Sequence, residues 1–383
     1  MESAPLRAAR ELGPELRRRA PEIEAERRLP ADLAKRFAAE GFFRTCVPAV
    51  YGGLEWPPEE TARLIEVLAE ADGSCAWCVF IGATSGSALA RLPESAAREV
   101  FANPETLVAG VFAPRGRADR VEQGFRATGQ WAWGSGTQNA DWILGGCRLF
   151  EGDEPLLQAG GAPRTHMLLV PASEVEFLDT WHSSGLCGTG STDFVIRDAF
   201  VPEERVVGLA ADAGVEGPLY AFPQFGLLGL GIAAVCLGLA RAAIDDFVVL
   251  ATEKQPAGSS RTLAERAAVQ AELSRAEAER RSARAFFYET LAAAYAAACE
   301  DGRISVAMRR DVRLATTLAV GASARAVDRM YHLAGGTSVY RSSPLQRIFR
   351  DVHVATQHMM VSPATLELTG RLLLGLETNT AQL

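Results

Sequence analysis

Three stretches of this 383-residue chain combine residue types that can do chemistry. Near the C-terminus, residues 335–359 read GGTSVYRSSPLQRIFRDVHVATQHM. The glycine pair lets backbone N–H groups approach a phosphate or sugar closely. A Ser342-Ser343-Pro344 turn leads into a helical pattern with Leu345, Ile348, Phe349 and Val352 on one face and Gln346, Arg347, Arg350 and Asp351 on others. His353 and His358 lie on that helix or just past its end. The second stretch, Trp131-Ala132-Trp133-Gly134-Ser135-Gly136, closes a β-type run on aromatics and then turns on small residues. Such a turn can present a hydroxyl and free amides to a flat ring, or it can be an ordinary hairpin end. The third, residues 181–191 (WHSSGLCGTGS), is dense in glycine and hydroxyls, which suits phosphate or ring-edge contacts and equally suits a plain glycine-rich turn.

Several chemistries are excluded by spacing. Ser135 lacks the GxSxG setting of a hydrolase nucleophile. None of the five histidines, His166, His182, His332, His353 and His358, has metal-ligand spacing, so no metal is expected. Cys75-Ala76-Trp77-Cys78 has no second CxxC and no nearby histidine, and reads as packing. Gly229-Leu230-Gly231-Ile232-Ala233-Ala234 matches GxGxxA, but the preceding segment carries Pro223 and no strand follows, so small residues packing a buried helix explain it better than a dinucleotide site.

Helices, then strands, then helices must position these stretches. Residues 1–105 read as helical, with an amphipathic run marked by Leu64, Ile65, Val67 and Leu68, and a helix after Asp72 and Ser74 that carries Trp77 in its first turn. Residues 106–212 hold short β-type runs (LVAGVF, FRATGQWAW, WILGGC, THMLLVP, DFVIRDAFVP) whose spacing predicts a small antiparallel barrel or sandwich. Long helices return over residues 213–383. A hydrophobic share of 48% and a charged share of 22% fit a soluble, cored protein; net charge −8, with no basic stripe, argues against nucleic acid. The charged N-terminus lacks an apolar leader core. The uncharged run over residues 217–240 is long enough to span a bilayer, but Pro223, Gln224 and its many glycines and alanines favour a tightly packed buried helix. Seven cysteines fit reduced thiols in a cytoplasmic protein.

Together these pieces resemble the acyl-CoA dehydrogenase superfamily over nearly the whole chain. Val47-Pro48-x-x-Tyr51-Gly52-Gly53 is similar to its VPxxYGG turn, Trp133-x-Ser135 with Ala140-Asp141 to its flavin segment, and Phe200-Val201-Pro202 to its strand end. Gly335-Gly336 followed by Pro344-x-x-Arg347-x-x-Arg350-Asp351 is similar to its GGxG…PxxRxxRD segment. The resemblance implies an α+β fold: an N-terminal helical domain, a central antiparallel β-barrel or sandwich and a C-terminal four-helix bundle. It also implies a homotetramer with flavin between domains and subunits.

Where many dehydrogenases carry a tyrosine and the proton-abstracting glutamate, this sequence has His358 and Met359. Methionine cannot be a base, although some family members carry the base on another helix. Ser135-Gly136 in place of Thr-Asn, the residue 181–191 loop and His358 instead resemble the two-component flavin-dependent monooxygenases of this fold. That resemblance implies reduced FMN, with FADH2 as the alternative, delivered by a separate NAD(P)H:flavin reductase. It implies O2 as co-substrate, a C4a-hydroperoxyflavin, and a small, aromatic substrate. It assigns Ser135 to flavin N5 and His358, titrating near neutral pH, to the oxygenation site. Trp77 would line the substrate pocket. Trp133, Gly136, Trp181, Ser191 and Arg261 would meet the flavin, with Gly335, Gly336 and Thr337 reaching it from a neighbouring subunit.

Overall fold

The computed structural model describes residues 2–158, 160–208 and 214–383. The chain opens with helices α1 (Ala4–Glu26), α2 (Ala31–Ala39), α3 (Pro58–Ala69), α4 (Gly73–Ala88) and α5 (Glu94–Val100). Asp72 caps α4 by accepting the Cys75 N–H at 2.9 Å. Almost every residue of α4 is buried, so this apolar helix is a central post rather than a surface amphipath. Its Gly82 and Gly86 face Phe43 and Val47, each of which a Cβ would meet at 2.6 Å.

The strands are β1 (Val108–Val121), β2 (Gly124–Gly134), β3 (Trp142–Glu151), β4 (Glu154–Pro155), β5 (Thr165–Pro171), β6 (Val175–Leu178), β7 (Thr192–Pro202) and β8 (Val206–Val207). They form one open sheet in the order β6-β7-β2-β1-β3-β5-β8, with β4 on β3. The expected barrel or sandwich is thus corrected to a single unclosed sheet that is mostly antiparallel. Its exception is β1–β3, which pair in parallel from Val108↔Trp142 to Asp119↔Phe150. The cause is topological: β3 passes over the β1–β2 hairpin to the free edge of β1, and two reversals leave it running the same way as β1. Hydrophobic alternation does not encode which edge a strand joins.

Trp131 is the plug of this sheet. Its ring is fully buried, stacks on Phe194 at 5.2 Å and donates Nε1–H to the Gly146 carbonyl at 2.8 Å. Space for the indole is left by glycine, since a Cβ at Gly116 would sit 2.3 Å from its ring.

Helices α6 (Gln224–Glu253), α7 (Ala267–Asp301), α8 (Val306–Ala334), α9 (Pro344–Thr356) and α10 (Pro363–Leu373) complete the fold. The apolar window of α6 is 94% buried inside the protein, so its side chains already have protein neighbours, as the packed-helix reading expects. Gly231 of α6 receives the Phe80 ring of α4, where a Cβ would lie 2.3 Å away. The GxGxxA segment is therefore a packing surface.

Candidate active site

The site grows from the end of β2. Pairing of β2 with β7 is irregular between Trp131 and Gly134, and within that bulge Trp133 adopts φ 65°. A positive φ is costly for a bulky residue, and the bend leaves the Trp133 side chain 73% exposed. Gly136, at φ 71°, completes the turn and folds Ser135 inward, where it is only 6% exposed.

Four side chains then form one hydrogen-bonded line. Trp77 Nε1–H donates to Ser135 Oγ at 3.1 Å. Ser135 Oγ lies 2.6 Å from Ser191 Oγ, and Ser191 Oγ lies 2.6 Å from Thr189 Oγ1. Thr189 Oγ1 donates to the Leu186 carbonyl at 2.7 Å. The carbonyl can only accept, so the proton order is fixed along the line: Thr189 receives from Ser191, and Ser191 receives from Ser135. The indole N–H can only donate, which agrees with that direction. Ser135 is left with one acceptor lone pair unused.

The residue 181–191 loop that supplies Ser191 and Thr189 is held from two sides. Trp181 Nε1–H is committed within the loop, to the Leu186 and Cys187 carbonyls at 3.2 and 3.1 Å. Its half-buried ring, not its N–H, remains available to a ligand. From outside, Asp351 accepts the Leu186 N–H at 2.6 Å, and Arg350 donates to the Ser184 carbonyl at 2.6 Å. The Arg-Asp pair of α9 is thus a clamp on this loop. Burial, reinforced by the nearby Asp72 charge, pushes the Asp351 carboxyl up to about 7.

His358 caps the short turn Met359–Val361, accepting the Met360 N–H on Nδ1 at 3.2 Å. Its ring centroid stands 6.0 Å from that of Trp77, and Trp77 packs edge-on against Phe80. Burial and the positive charge of Arg313 push its pKa down to about 4. This corrects the expectation of titration near neutral pH: in the ligand-free chain the imidazole is neutral there. His353 is engaged elsewhere, 2.8 Å from Asp328. Met359 is 62% exposed, and no carboxylate hydrogen-bonds Trp77, Ser135, Ser191 or His358 among the described residues.

Arg261, Gly335, Gly336 and Thr337 form a separate group. Lys254 Nζ donates to the Ala334 carbonyl at 2.6 Å, tying the loop that carries Arg261 to the end of α8. Arg261 is exposed, and Thr337 lines an open cavity with Asp246, Tyr340 and Ser343. Arg313 and Ala334 stand near opposite ends of α8, about 30 Å apart along its axis. One chain therefore does not bring this group to His358.

The residues fit a flavin by their own chemistry: a hydroxyl with a spare lone pair, an exposed indole on a strained backbone and a glycine-cleared turn. Among the described residues no group of His, Cys, Asp or Glu is placed to hold a metal. Sequence reasoning missed Thr189, which fixes the proton order, and Arg313. The signal for Arg313 was present: a charged residue at the core-facing position of the run VRLATTLAV in α8.

The chain is similar to known proteins over nearly its whole length. Residues 7–102 match the family described as acyl-CoA dehydrogenase, N-terminal domain, and residues 230–363 match acyl-CoA dehydrogenase, C-terminal domain. The chain is 32% identical to an indole-3-acetate monooxygenase of Pseudomonas putida over 94% of its own length and 90% of that protein. It is 32% identical to the oxygenase component of an FADH(2)-dependent resorcinol hydroxylase of Rhizobium sp. (strain MTP-10005), over 93% and 90% of the two chains. Among solved structures, the HsaA monooxygenase from M. tuberculosis superposes with a TM-score of 0.91 at 27% identity, covering 99% of each chain. XiaF from Streptomyces sp., solved with FADH2 and glycerol, gives 0.88 at 29% identity over 97% and 95% of the chains.

Proposed function

This chain belongs to the acyl-CoA dehydrogenase family, among the flavin-dependent monooxygenases built on that fold, and from that premise we propose that it is the oxygenase component of a two-component aromatic hydroxylase. Its cofactor is reduced flavin, FMN or FADH2, made by a separate NAD(P)H:flavin reductase. Bound reduced flavin supplies the activation of O2 that no protein side chain can provide.

The observation that carries this reading is the one-way line Trp77–Ser135–Ser191–Thr189 standing beside a neutral His358, with no carboxylate hydrogen-bonded to it among the described residues. Ser135 directs its own proton to Ser191 and keeps a lone pair for an N–H donor, as N5 of a reduced flavin presents. Holding that proton at N5 slows its loss to solvent. The burial of Ser135, Ser191 and Trp77 keeps bulk water from the same place. A neutral His358 accepts a proton from a phenol or ring N–H as the ring is attacked. Without a base of the carboxylate type here, proton removal next to a thioester has no agent at this point in the fold.

Gly335, Gly336 and Thr337, with Arg261, serve a flavin held mainly by a second copy of the chain. The separation along α8 supports a homotetramer in which each site draws on two chains. We place the enzyme in the cytoplasm, without a nucleic-acid or membrane partner.

The test is to mix the purified chain anaerobically with FMNH2 or FADH2, measure binding, then add air and an aromatic substrate. Hydroxylated product with little free peroxide is expected. Anaerobic flavin reduction by an acyl-CoA thioester would sink the reading.

A further inference from the structure

Between α6 and α8 the fold holds a cation that no group among the described residues neutralises. Arg313 of α8 is 2% exposed. Its Nε and Nη1 have no hydrogen-bond partner, and no carboxylate lies within 4.0 Å of its guanidinium, among the described residues. Burial lowers its pKa to about 10, which leaves it protonated at neutral pH. A buried, unpaired charge is costly and persists when something else answers it.

The fold makes room for this group. A Cβ on Gly229 of α6 would lie 2.8 Å from Arg313 Nη1 and 3.4 Å from the Thr316 methyl. One turn along α8 from Arg313, the Thr316 hydroxyl is also buried without a partner. Two unanswered polar side chains therefore flank the same bare glycine. His358 feels the Arg313 charge, and its imidazole stands 6.0 Å from the Trp77 ring, centroid to centroid.

We propose that Arg313 anchors an anionic group of the substrate, a carboxylate carried on a short arm of the aromatic ring, with Thr316 as a second donor. The proposal rests on the aromatic-hydroxylase reading and narrows it to aromatic acids. A carboxylate matches two guanidinium N–H groups at once. Its ring then extends toward Trp77 and His358, so the tail fixes which ring atom is presented for oxygenation. The amide of the same acid brings an N–H2 where the site already has donors, and leaves the guanidinium charge in place.

The test measures equilibrium binding of indole-3-acetate and 4-hydroxyphenylacetate, and of their amides, to the full chain by calorimetry. Wild type, Arg313→Lys and Arg313→Gln are compared, with reduced-flavin affinity measured on each. Wild type should bind the acids more tightly than the amides, by on the order of 100-fold. Arg313→Gln should abolish the preference by weakening acid binding, and Arg313→Lys should keep part of it. Equal binding of acid and amide by wild type overturns the proposal without needing any variant to fold. So does an Arg313→Gln protein that keeps the preference, or one whose main loss is affinity for reduced flavin, which would make the flavin the anion served. Binding of the acids without any oxygenated product would leave this anchor standing while removing the hydroxylase reading.

Discussion

Trp77 on α4 donates its indole N–H to the hydroxyl of Ser135 at the end of β2, across 3.1 Å. This bond ties α4 to the turn after β2, beside the α9 clamp on the residue 181–191 loop. It also decides what Ser135 can offer, because the indole can only donate and the hydroxyl must pass its own proton onward to Ser191.

Ser135→Ala removes the centre of that line. The variant should release more hydrogen peroxide per flavin oxidised, read by a peroxide assay against oxygen uptake. Trp77→Phe keeps the ring but loses the N–H, and should cost about 1 kcal/mol of stability in a denaturant titration. Unchanged coupling in Ser135→Ala would remove the serine from the mechanism.

His358→Ala should lower turnover by about 10² to 10⁴ while reduced-flavin binding changes little. The titration of the ring is open to NMR in the ligand-free protein, where its pKa should be near 4. That value lies below the ordinary 6.5, so between these pH values the unfolded chain binds more protons than the folded one. This group's contribution to stability is therefore complete above about 6.5 and lost as pH falls toward 4.

Asp351 has the opposite sign. Its carboxyl is raised from 3.8 to about 7, so between those values the folded chain binds more protons, and stability from this group falls as pH rises through that window. Asp351→Asn keeps an acceptor for the Leu186 N–H and removes the charge. The stability difference, variant minus wild type, should grow from pH 4 to 7 and then level off in thermal or denaturant melts.

Gly185→Ala tests the loop clamp. A Cβ there would fall 2.4 Å from the Arg350 carbonyl, so α9 and the residue 181–191 loop must part. Loss of flavin-dependent activity with most of the helical signal retained is expected. An active Gly185→Ala enzyme would show that the clamp is dispensable.

Gly336→Val tests the two-chain site. No atom lies within 4 Å of a Cβ at Gly336, so the single chain should tolerate the change. Reduced-flavin affinity should nonetheless drop, and sedimentation would show whether assembly is altered. Full affinity in a folded variant would detach this segment from the cofactor.

Local signals in the chain reached far. Helical patterning placed long helices in residues 213–383, where α6 to α10 lie, because side-chain periodicity is a short-range property. The family resemblance picked out Trp77, Ser135, Ser191 and His358, and the fold brings them together from three separate parts of the chain. Strand order was not legible: β1 alternates equally well whichever neighbour pairs with it, and β3 took its free edge in parallel. The second half of β1 also escaped notice, because arginines and an aspartate alternate there with the buried Gly116 and Ala118 and break the apolar run.

The order of residues by itself determined which groups could do chemistry here: a serine in a glycine turn, a histidine followed by methionine where a base is usual, an arginine in an apolar helical stripe. Only the tertiary structure decided their states. The proton direction through Ser135 depends on a carbonyl at Leu186 and an indole from α4. The depressed pKa of His358 and the solitude of Arg313 depend on burial and on neighbours distant in the chain, and desolvation is a property of packed surroundings that no spacing of residues contains.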